Sequence, residues 1–183
     1  MGEFSTLLAA KFAAYGELTP EQIIVLLQHY ELLCRWNRKL NLTRISDLNE
    51  AVEMHYCESL YIARFLPVDS VNIADIGSGA GFPGIPVAVI RPDCSVDLIE
   101  SDQRKAVFLS EAVRAMPNVR VIAKRAEVHA KERLPAKYDW GLSRAVASEA
   151  VEGSGLASQY LVLGNKGEKL PWGNNRFVLK CST

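Results

Sequence analysis

The most informative segment of this 183-residue chain is Asp75-Ile76-Gly77-Ser78-Gly79-Ala80-Gly81-Phe82-Pro83-Gly84. It follows a short apolar run, residues 71–76, and precedes a helical pattern that we expect to open near Pro86. Its alternating glycines can adopt positive φ angles, and they leave bare backbone against which a ligand can lie. A strand, a glycine loop and a helix in this order predict the ligand-binding turn of an open parallel sheet, at the carboxyl end of its first strand.

The chain on the carboxyl side of this segment alternates strands with helices. Further apolar runs occupy residues 95–99, 119–123, 138–142, 159–163 and 177–179, and a helical pattern covers Lys105 to Met116. Alternation of this kind is typical of a parallel sheet with helices on both faces. The sequence therefore predicts an α/β fold with a doubly wound, mostly parallel sheet.

The chain on the amino side has helical patterns. Thr19-Pro20-Glu21-Gln22 combines a threonine cap, a first-turn proline and a glutamine three residues after the cap, which indicates a helix start. A second start lies at Asp47, where Glu50 completes a capping box. The helix that follows is predicted to present one apolar face until Pro67 ends it. We expect residues 1–66 to form a helical cap on an α/β domain of residues 67–183, the two packing as one compact unit.

Composition excludes several classes of protein. Lys plus Arg and Asp plus Glu both number 21, so the chain has no overall basic coat for nucleic acid, and only a local basic patch is available. A hydrophobic content of 49% argues against disorder. No apolar run approaches the roughly 18 residues of a membrane span, no secretory signal is visible, and the four cysteines lack metal-binding spacing. We expect a monomeric, cytoplasmic protein that binds neither membrane nor metal.

The spelling of the glycine loop leaves more than one ligand class open. A dinucleotide fingerprint, G-x-G-x-x-G, fails when counted from Gly77 but is satisfied from Gly79, and no Walker sequence is present. Asp75, before the first glycine, favours S-adenosylmethionine over a pyrophosphate, because a carboxylate complements ammonium and sulfonium charges. Glu100 closes the second strand, where its carboxylate can accept both ribose hydroxyls. A purely structural turn with no ligand is the remaining alternative.

A longer set of motifs accompanies the glycine loop, which itself resembles motif I of class I S-adenosylmethionine-dependent methyltransferases. The motifs are Trp36-Asn37-x-x-x-Asn41-Leu42-Thr43, His55-x-x-x-Ser59, Phe82-Pro83-Gly84-Ile85-Pro86, Arg125-Ala126-Glu127 and Ser143-Arg144-Ala145. With them the chain, from about residue 20 to residue 167, closely resembles the small-subunit ribosomal RNA guanine-N-7 methyltransferases, also called the glucose-inhibited division protein B family. The resemblance implies methyl transfer from S-adenosylmethionine to N-7 of a guanine in small-subunit ribosomal RNA.

The resemblance also implies roles for individual residues. Gly77 and Phe82 line the methionine and ribose side of the cofactor pocket. Glu100 holds the ribose hydroxyls, and Ala126 and Glu127 face the adenine. Arg144 lies nearest the transferred methyl group and is the expected catalytic residue, and His55 lies near the substrate entrance. With the loop residues added, the candidate cofactor-binding residues are Asp75, Gly77, Gly79, Gly81, Phe82, Glu100, Ala126, Glu127 and Arg144.

Two local excesses of positive charge fit a one-sided RNA surface. Residues 28–44 hold four bases against one acid, and residues 104–133 hold eight bases against three acids. Such runs are also typical of solvated helix faces, so composition alone leaves both interpretations open. With the resemblance, the candidate substrate and RNA residues are His55, Arg35, Arg38, Lys39, Arg104, Lys105 and Arg125. His29 and His129 lie outside every motif, and we assign them no role.

The C-terminal region departs from the family pattern. After Gly167 the chain is shorter than is typical, with a helix and a strand missing before the last hairpin. We expect Leu170 to Asn175 to form a turn into the strand at Phe177, at a shortened sheet edge. The alternatives to ribosomal RNA methylation are a methyltransferase for another RNA or a small molecule, a non-catalytic cofactor-binding ribosome-assembly factor, and a nicotinamide-dependent oxidoreductase.

Overall fold

The computed structural model describes residues 2–45, 47–144, 148–173 and 175–182. Within them the strands are β1 (Asn72–Ile76), β2 (Ser95–Ile99), β3 (Val119–Ile122), β4 (Tyr138–Arg144), β5 (Ala157–Gly164), β6 (Glu168–Lys169) and β7 (Phe177–Ser182). They form one sheet in the order β3-β2-β1-β4-β5-β7-β6, in which the first five strands run parallel and β7 pairs antiparallel with β5 and β6. The predicted mostly parallel, doubly wound sheet is confirmed.

Helices cover both faces of this sheet. They are α1 (Glu3–Phe12), α2 (Pro20–Leu40), α3 (Leu48–Ala51), α4 (Glu58–Ile62), α5 (Gly84–Ile90), α6 (Gln103–Ala112), α7 (Ala126–Arg133) and α8 (Ser148–Gly153). Residues of α1, α2, α4, α5 and α6 join one buried apolar cluster, and residues of α7 and α8 join a second. In the part of the chain that the structure describes, none of the helices is long and apolar enough to span a bilayer.

The N-terminal helices begin at the caps that the sequence predicts. Thr19 Oγ1 accepts a 3.3 Å hydrogen bond from Gln22 N, and the Gln22 side chain accepts one of 2.9 Å from Thr19 N, which completes a capping box. Asp47 Oδ1 likewise accepts from Glu50 N at 2.9 Å. After the glycine loop, α5 starts at Gly84 instead of near Pro86. A proline is tolerated there because first-turn N–H groups have no partner within the helix.

The helical segment after Asp47 differs from the single amphipathic helix that we expected. It passes from α3 into a π-helical turn at Val52–Cys57, then into α4 and a 3₁₀ turn at Ala63–Phe65. All side chains from His55 to Leu60 are buried, so the prediction of one apolar face is wrong here. The reason is that the segment is enclosed by α1, by α5 and by the C-terminal hairpin, whose Trp172 packs on Tyr61 at 5.8 Å between ring centroids.

The far edge of the sheet is short. We expected a turn from Leu170, and Leu170 N donates across it to Arg176 O at 2.8 Å, with Asn174 outside the described residues. The prediction missed β6, a strand of two residues, and ended β7 three residues early. Trp172 in this turn is buried against rings of the N-terminal helices, and Arg176 forms a bidentate ion pair with the fully buried Glu58 of α4. The hairpin therefore packs onto the helices of the N-terminal region.

Candidate active site

The register of the sheet aligns the ends of four strands. The last residues of β1, β2 and β3 pair with one another, and the last residue of β1 pairs with the penultimate residue of β4. Gly77, Glu100 and Arg144 therefore lie side by side at the carboxyl edge of the sheet. The chain after β3 leads to α7, which begins with Ala126 and Glu127. Residues from four separate motifs are thus brought to one edge, where parallel α/β sheets bind ligands.

The three loop glycines have different surroundings. Gly77, Gly79 and Gly81 have φ angles of 72°, 56° and 89°, in the left-handed region that favours glycine. A Cβ atom on Gly79 would meet nothing closer than a backbone oxygen at 3.8 Å, whereas one on Gly81 would collide with the side chain of Ile85. Gly79 consequently presents free backbone, and Gly81 packs against α5. The expected role of Gly81 in direct cofactor contact has no support from this geometry.

Asp75 lies beneath the loop. Its side chain is fully buried, and Oδ2 accepts a 3.0 Å hydrogen bond from Gly84 N in the first turn of α5. Among the described residues Oδ1 has no hydrogen-bond partner. Burial raises the pKa of Asp75 to about 7, against the opposing effect of the Gly84 N–H. Asp75 is therefore a buried anchor for α5, and its side chain does not line the cavity that opens above the loop.

Glu100 joins the glycine loop to the chain after β2. It is 7% exposed, its Oε2 accepts from Gly79 N at 2.9 Å, and its Oε1 accepts from Asp102 N at 2.8 Å. A carboxylate has about four lone-pair positions, so both oxygens retain capacity for further donors such as ribose hydroxyls.

A cavity of about 490 Å³ opens above the loop. The N-terminal helices and the sheet edge both contribute to its wall, through the loop after α2, the π-helical turn, the glycine loop and the end of β4. Its lining residues are Leu42, Thr43, Arg44, His55, Gly77, Ser78, Gly79, Ala80, Phe82 and Arg144. Five of the predicted site residues are thereby brought together, whereas Asp75, Gly81, Glu100, Ala126 and Glu127 do not line this space.

His55 stacks on Phe82 in the wall of the cavity. The ring centroids are 4.6 Å apart with an interplanar angle of 14°, and His55 Nε2 lies 2.8 Å from Thr43 Oγ1. Burial, together with the nearby Arg144 charge, lowers the pKa of His55 to about 2. The imidazole is therefore neutral at physiological pH, and its buried Nδ1 has no partner within the described part of the chain.

Arg144 approaches the same phenyl ring from the end of β4. Its guanidinium carbon lies 5.9 Å from the Phe82 centroid, and Nη1 is buried with no hydrogen-bond partner that the described residues supply. Burial lowers the pKa of Arg144 to about 10, and the Glu58 carboxylate partly offsets this effect. Arg144 therefore remains a cation at neutral pH, with one buried nitrogen that no described residue satisfies.

His29 is a site-supporting residue that the sequence analysis missed. Its Nε2 lies 2.9 Å from Ala80 O in the glycine loop and its Nδ1 lies 2.9 Å from Tyr56 Oη, while its ring packs edge-on to Phe82. Burial lowers the pKa of His29 to about 4. A signal was present, because His29 falls three residues after Leu26 on the apolar stripe of α2, where an imidazole needs polar partners.

The two residues that we expected to contact adenine lie near the protein surface. Ala126 is half-buried and Glu127 is exposed at the start of α7, a helix with no fully buried side chain. Two contacts to Tyr138 hold the far end of α7: Arg133 lies over its ring at 4.0 Å, and His129 Nε2 lies 3.0 Å from its hydroxyl. The helix that carries the predicted adenine contacts is thus anchored by polar contacts to β4.

The basic residues that we predicted to bind RNA lie on the surface, in more than one place. Arg35, Arg38, Lys39, Arg104 and Arg125 are exposed, and Lys105 is half-buried. Helices α2 and α6 flank a groove of about 250 Å³, where basic residues from both charged segments meet as Arg35 and Arg114. Arg38 instead lines a second cavity, of about 230 Å³, which shares Thr43 and His55 with the larger one.

This architecture is the class I S-adenosylmethionine-dependent methyltransferase fold. Coclaurine N-methyltransferase bound to N-methylheliamine and SAH matches with a TM-score of 0.52 and 16% identity, over 87% of this chain and 56% of that one. A SAM-dependent methyltransferase from Aquifex aeolicus gives a TM-score of 0.52 and 14% identity, over 73% and 76%. At such low identity these structures show a shared fold alone.

The chain belongs to the rRNA small subunit methyltransferase G family, whose model matches residues 22–162. The Ribosomal RNA small subunit methyltransferase G of Dichelobacter nodosus is 47% identical over 130 residues, which cover 69% of this chain and 60% of that protein. The protein of the same name from Desulforamulus reducens is 39% identical over 135 residues, 72% and 56% of the two chains. The chain thus spans somewhat more than half the length of these curated relatives.

Proposed function

We propose that this chain transfers a methyl group from S-adenosylmethionine to N-7 of a guanine in small-subunit ribosomal RNA. The observation that carries the proposal is the cavity above the glycine loop, because Gly77, Gly79, Phe82, His55 and Arg144, which come from separate motifs, line it together. Membership of the rRNA small subunit methyltransferase G family, and the activity for which its relatives are named, support the same assignment. We further propose that the protein works as a monomer in the cytoplasm of a bacterium, where that RNA is found.

The residues at the sheet edge fit this cofactor. Gly77 and Gly79 line the cavity, Gly79 has free space where a Cβ atom would stand, and Glu100 keeps lone pairs for ribose hydroxyls. Asp75 would support the cofactor from beneath the loop, where its carboxyl group holds the first turn of α5 through Gly84 N. Ala126 and Glu127 would face the adenine. When bound, S-adenosylmethionine supplies a methyl group on a positively charged sulfur.

The chemistry requires positioning more than proton transfer. N-7 of guanine carries a free lone pair at neutral pH, so this chain needs no general base. Holding that nitrogen in line with the methyl group can supply roughly 7–11 kcal/mol of the barrier reduction. Arg144 would donate to O6 of guanine or to a phosphate, which orients the base. His55 is neutral, so it adds no second positive charge beside a ring that becomes cationic.

These positions lead us to assign different roles to the two parts of the chain. We propose that the cap, residues 1–66, supplies part of the RNA-facing basic surface and one wall of the cavity, and that residues 67–183 hold the cofactor and supply the rest of that surface. The exposed Arg35, Arg38 and Lys39 on α2 would contact phosphates, and so would the exposed Arg104 and Arg125, with Lys105 beside them. The cap reaches the cavity through Leu42, Thr43 and Arg44 in the loop after α2 and through His55 in the π-helical turn.

Two measurements test the proposed function. Calorimetry with S-adenosylmethionine and with NAD should give binding of the first only, and binding of NAD alone would favour an oxidoreductase. A second assay then measures transfer of labelled methyl to naked small-subunit RNA, to assembled subunits and to a sample without RNA. It distinguishes the remaining candidate functions. Label in either RNA sample supports the proposal. Cofactor binding with no label in any sample would instead favour a non-catalytic assembly factor.

A further inference from the structure

A chain of hydrogen bonds joins α2 to the cavity wall through Thr43. The Asn37 amide Nδ2 donates to Thr43 O at 2.9 Å, and its Oδ1 accepts from Thr43 N at 2.8 Å. Thr43 Oγ1 then lies 2.8 Å from His55 Nε2 and accepts from Ile45 N at 3.1 Å. The backbone of Thr43 is held by one helix, and its hydroxyl group is directed at the imidazole.

These contacts distinguish the two neutral tautomers of His55. If the Thr43 hydroxyl donates to Nε2, its oxygen accepts from Ile45 N, and the one polar group left unpaired by the described residues is Nδ1–H. If Nε2 donates instead, the threonine proton and the Nδ1 lone pair are both unpaired. The first arrangement leaves one polar group unpaired and the second leaves two, so the first is favoured. The imidazole is 6% exposed, and its lowered pKa rules out the doubly protonated form at neutral pH.

We propose that Thr43 holds His55 in the tautomer protonated on Nδ1, and that this N–H selects guanine by donating to its O6 beside Arg144. The inference rests on the proposed function, because it concerns how that same site recognises its base. His55 and Arg144 line one cavity, and each has a buried nitrogen that no described residue satisfies. Two unpaired nitrogens on residues that line one cavity call for an acceptor, and a ligand in that cavity can supply it.

The pattern of donors and acceptors on purines supplies the selectivity. Guanine presents O6 and N-7, both acceptors, on one edge, whereas adenine presents an amino group in place of O6. An adenine in this position would leave two buried donors facing another donor, which a buried polar site rejects strongly. Donation to O6 leaves N-7 free for the methyl group. Thr43 is a positioning residue in this scheme, since it acts through His55.

Matched substitutions at two positions separate this role from general packing. Asparagine places an amide nitrogen where His55 has Nδ1, and glutamine places one where it has Nε2. We expect His55→Asn to transfer methyl to unmethylated small-subunit RNA at least about tenfold faster than His55→Gln. Thr43→Val should lower kcat/KM for RNA about tenfold, and Thr43→Ser should restore most of it. Affinity for S-adenosylmethionine should stay within about twofold in every variant, because the imidazole would contact the base.

Nitrogen-15 NMR of the wild-type protein gives a readout that needs neither RNA nor catalysis. His55 should show a protonated Nδ1 and an unprotonated Nε2, and Thr43→Val should abolish this preference. A wild-type spectrum with the proton on Nε2, or equal activities of His55→Asn and His55→Gln, would overturn the inference. Failure of the proposed function has a different signature, since the wild type would then transfer no methyl group to any RNA while the tautomer could still be read.

Discussion

Oε2 of Glu100 accepts a 2.9 Å hydrogen bond from the backbone N–H of Gly79, so the residue expected to hold the ribose also fixes the glycine loop. Removal of this carboxylate should therefore weaken cofactor binding in two ways. We expect Glu100→Ala to reduce affinity for S-adenosylmethionine by roughly 1–3 kcal/mol, as measured by calorimetry. Glu100→Gln keeps an acceptor for Gly79 without the charge and should lose less. An affinity within twofold of wild type in Glu100→Ala would show that the ribose is held elsewhere.

Gly79 and Gly155 form a matched pair of glycines for testing the loop. Their φ angles are 56° and 64°, and a Cβ atom on either would have open space or ordinary contact distances. Alanine at either position should cost roughly 1–2 kcal/mol of unfolding free energy, because the left-handed conformation is strained for it. Only Gly79→Ala should also weaken S-adenosylmethionine binding, since Gly79 lines the cavity. Equal cofactor affinity in the two variants would remove the loop from the binding site.

Asp75 and His29 make opposite contributions to the pH dependence of stability. The pKa of Asp75 is raised to about 7 in the folded state, above its unfolded value of about 3.9, so its contribution is greatest in acid and is lost as the pH rises to about 7. The pKa of His29 is lowered to about 4, below its unfolded value of about 6.5, so its contribution is present above that value and is lost as the pH falls. Between pH about 4 and 6.5 the two slopes oppose each other.

Single substitutions should distinguish what Asp75 and His29 each contribute to the pH dependence of the unfolding free energy. Asp75→Asn keeps an acceptor for Gly84 N but cannot ionise, so its unfolding free energy should fall more steeply than wild type on acidification. The unfolding free energy of His29→Gln should fall less steeply than that of the wild type on acidification. Urea unfolding across pH about 4 to 6.5 measures both. Variant curves that run parallel to the wild-type curve would mean that neither buried group titrates as described.

The sequence could predict those parts of the site that depend on short-range patterns. The glycine loop, Glu100 at the end of β2 and Arg144 at the end of β4 lie where strand alternation places them, because a parallel register aligns strand ends. The path of the chain after Asp47 could not be predicted. Its π-helical turn depends on packing against α1 and the hairpin, which are distant in sequence. The contact between His29 and Ala80 was missed for the same reason, since 51 positions separate the two residues.

Substitution of the exposed basic residues of α2 tests the proposed RNA-binding surface. Replacement of Arg35, Arg38 and Lys39 by alanine should weaken binding of small-subunit RNA and reduce its salt slope by up to about three units, roughly 0.7–0.9 for each phosphate contact. Cofactor affinity should not change, because none of the three lines the cavity above the glycine loop. The matched control removes three exposed lysines elsewhere: Lys137, Lys166 and Lys169. Filter binding across salt with equal slopes for both triple variants would indicate that α2 carries only a solvated helix face.

The most direct test of the central claim replaces the accepting nitrogen itself. Small-subunit RNA transcribed with 7-deazaguanosine carries a carbon at the N-7 position of each guanine and has no lone pair there. Labelled methyl from S-adenosylmethionine should appear as N-7-methylguanosine in ordinary RNA with the wild-type protein and be lowered by about 10²-fold or more with Arg144→Ala. The 7-deaza transcript should take up no label. Label in the 7-deaza transcript, or in a nucleoside other than N-7-methylguanosine, would contradict the account.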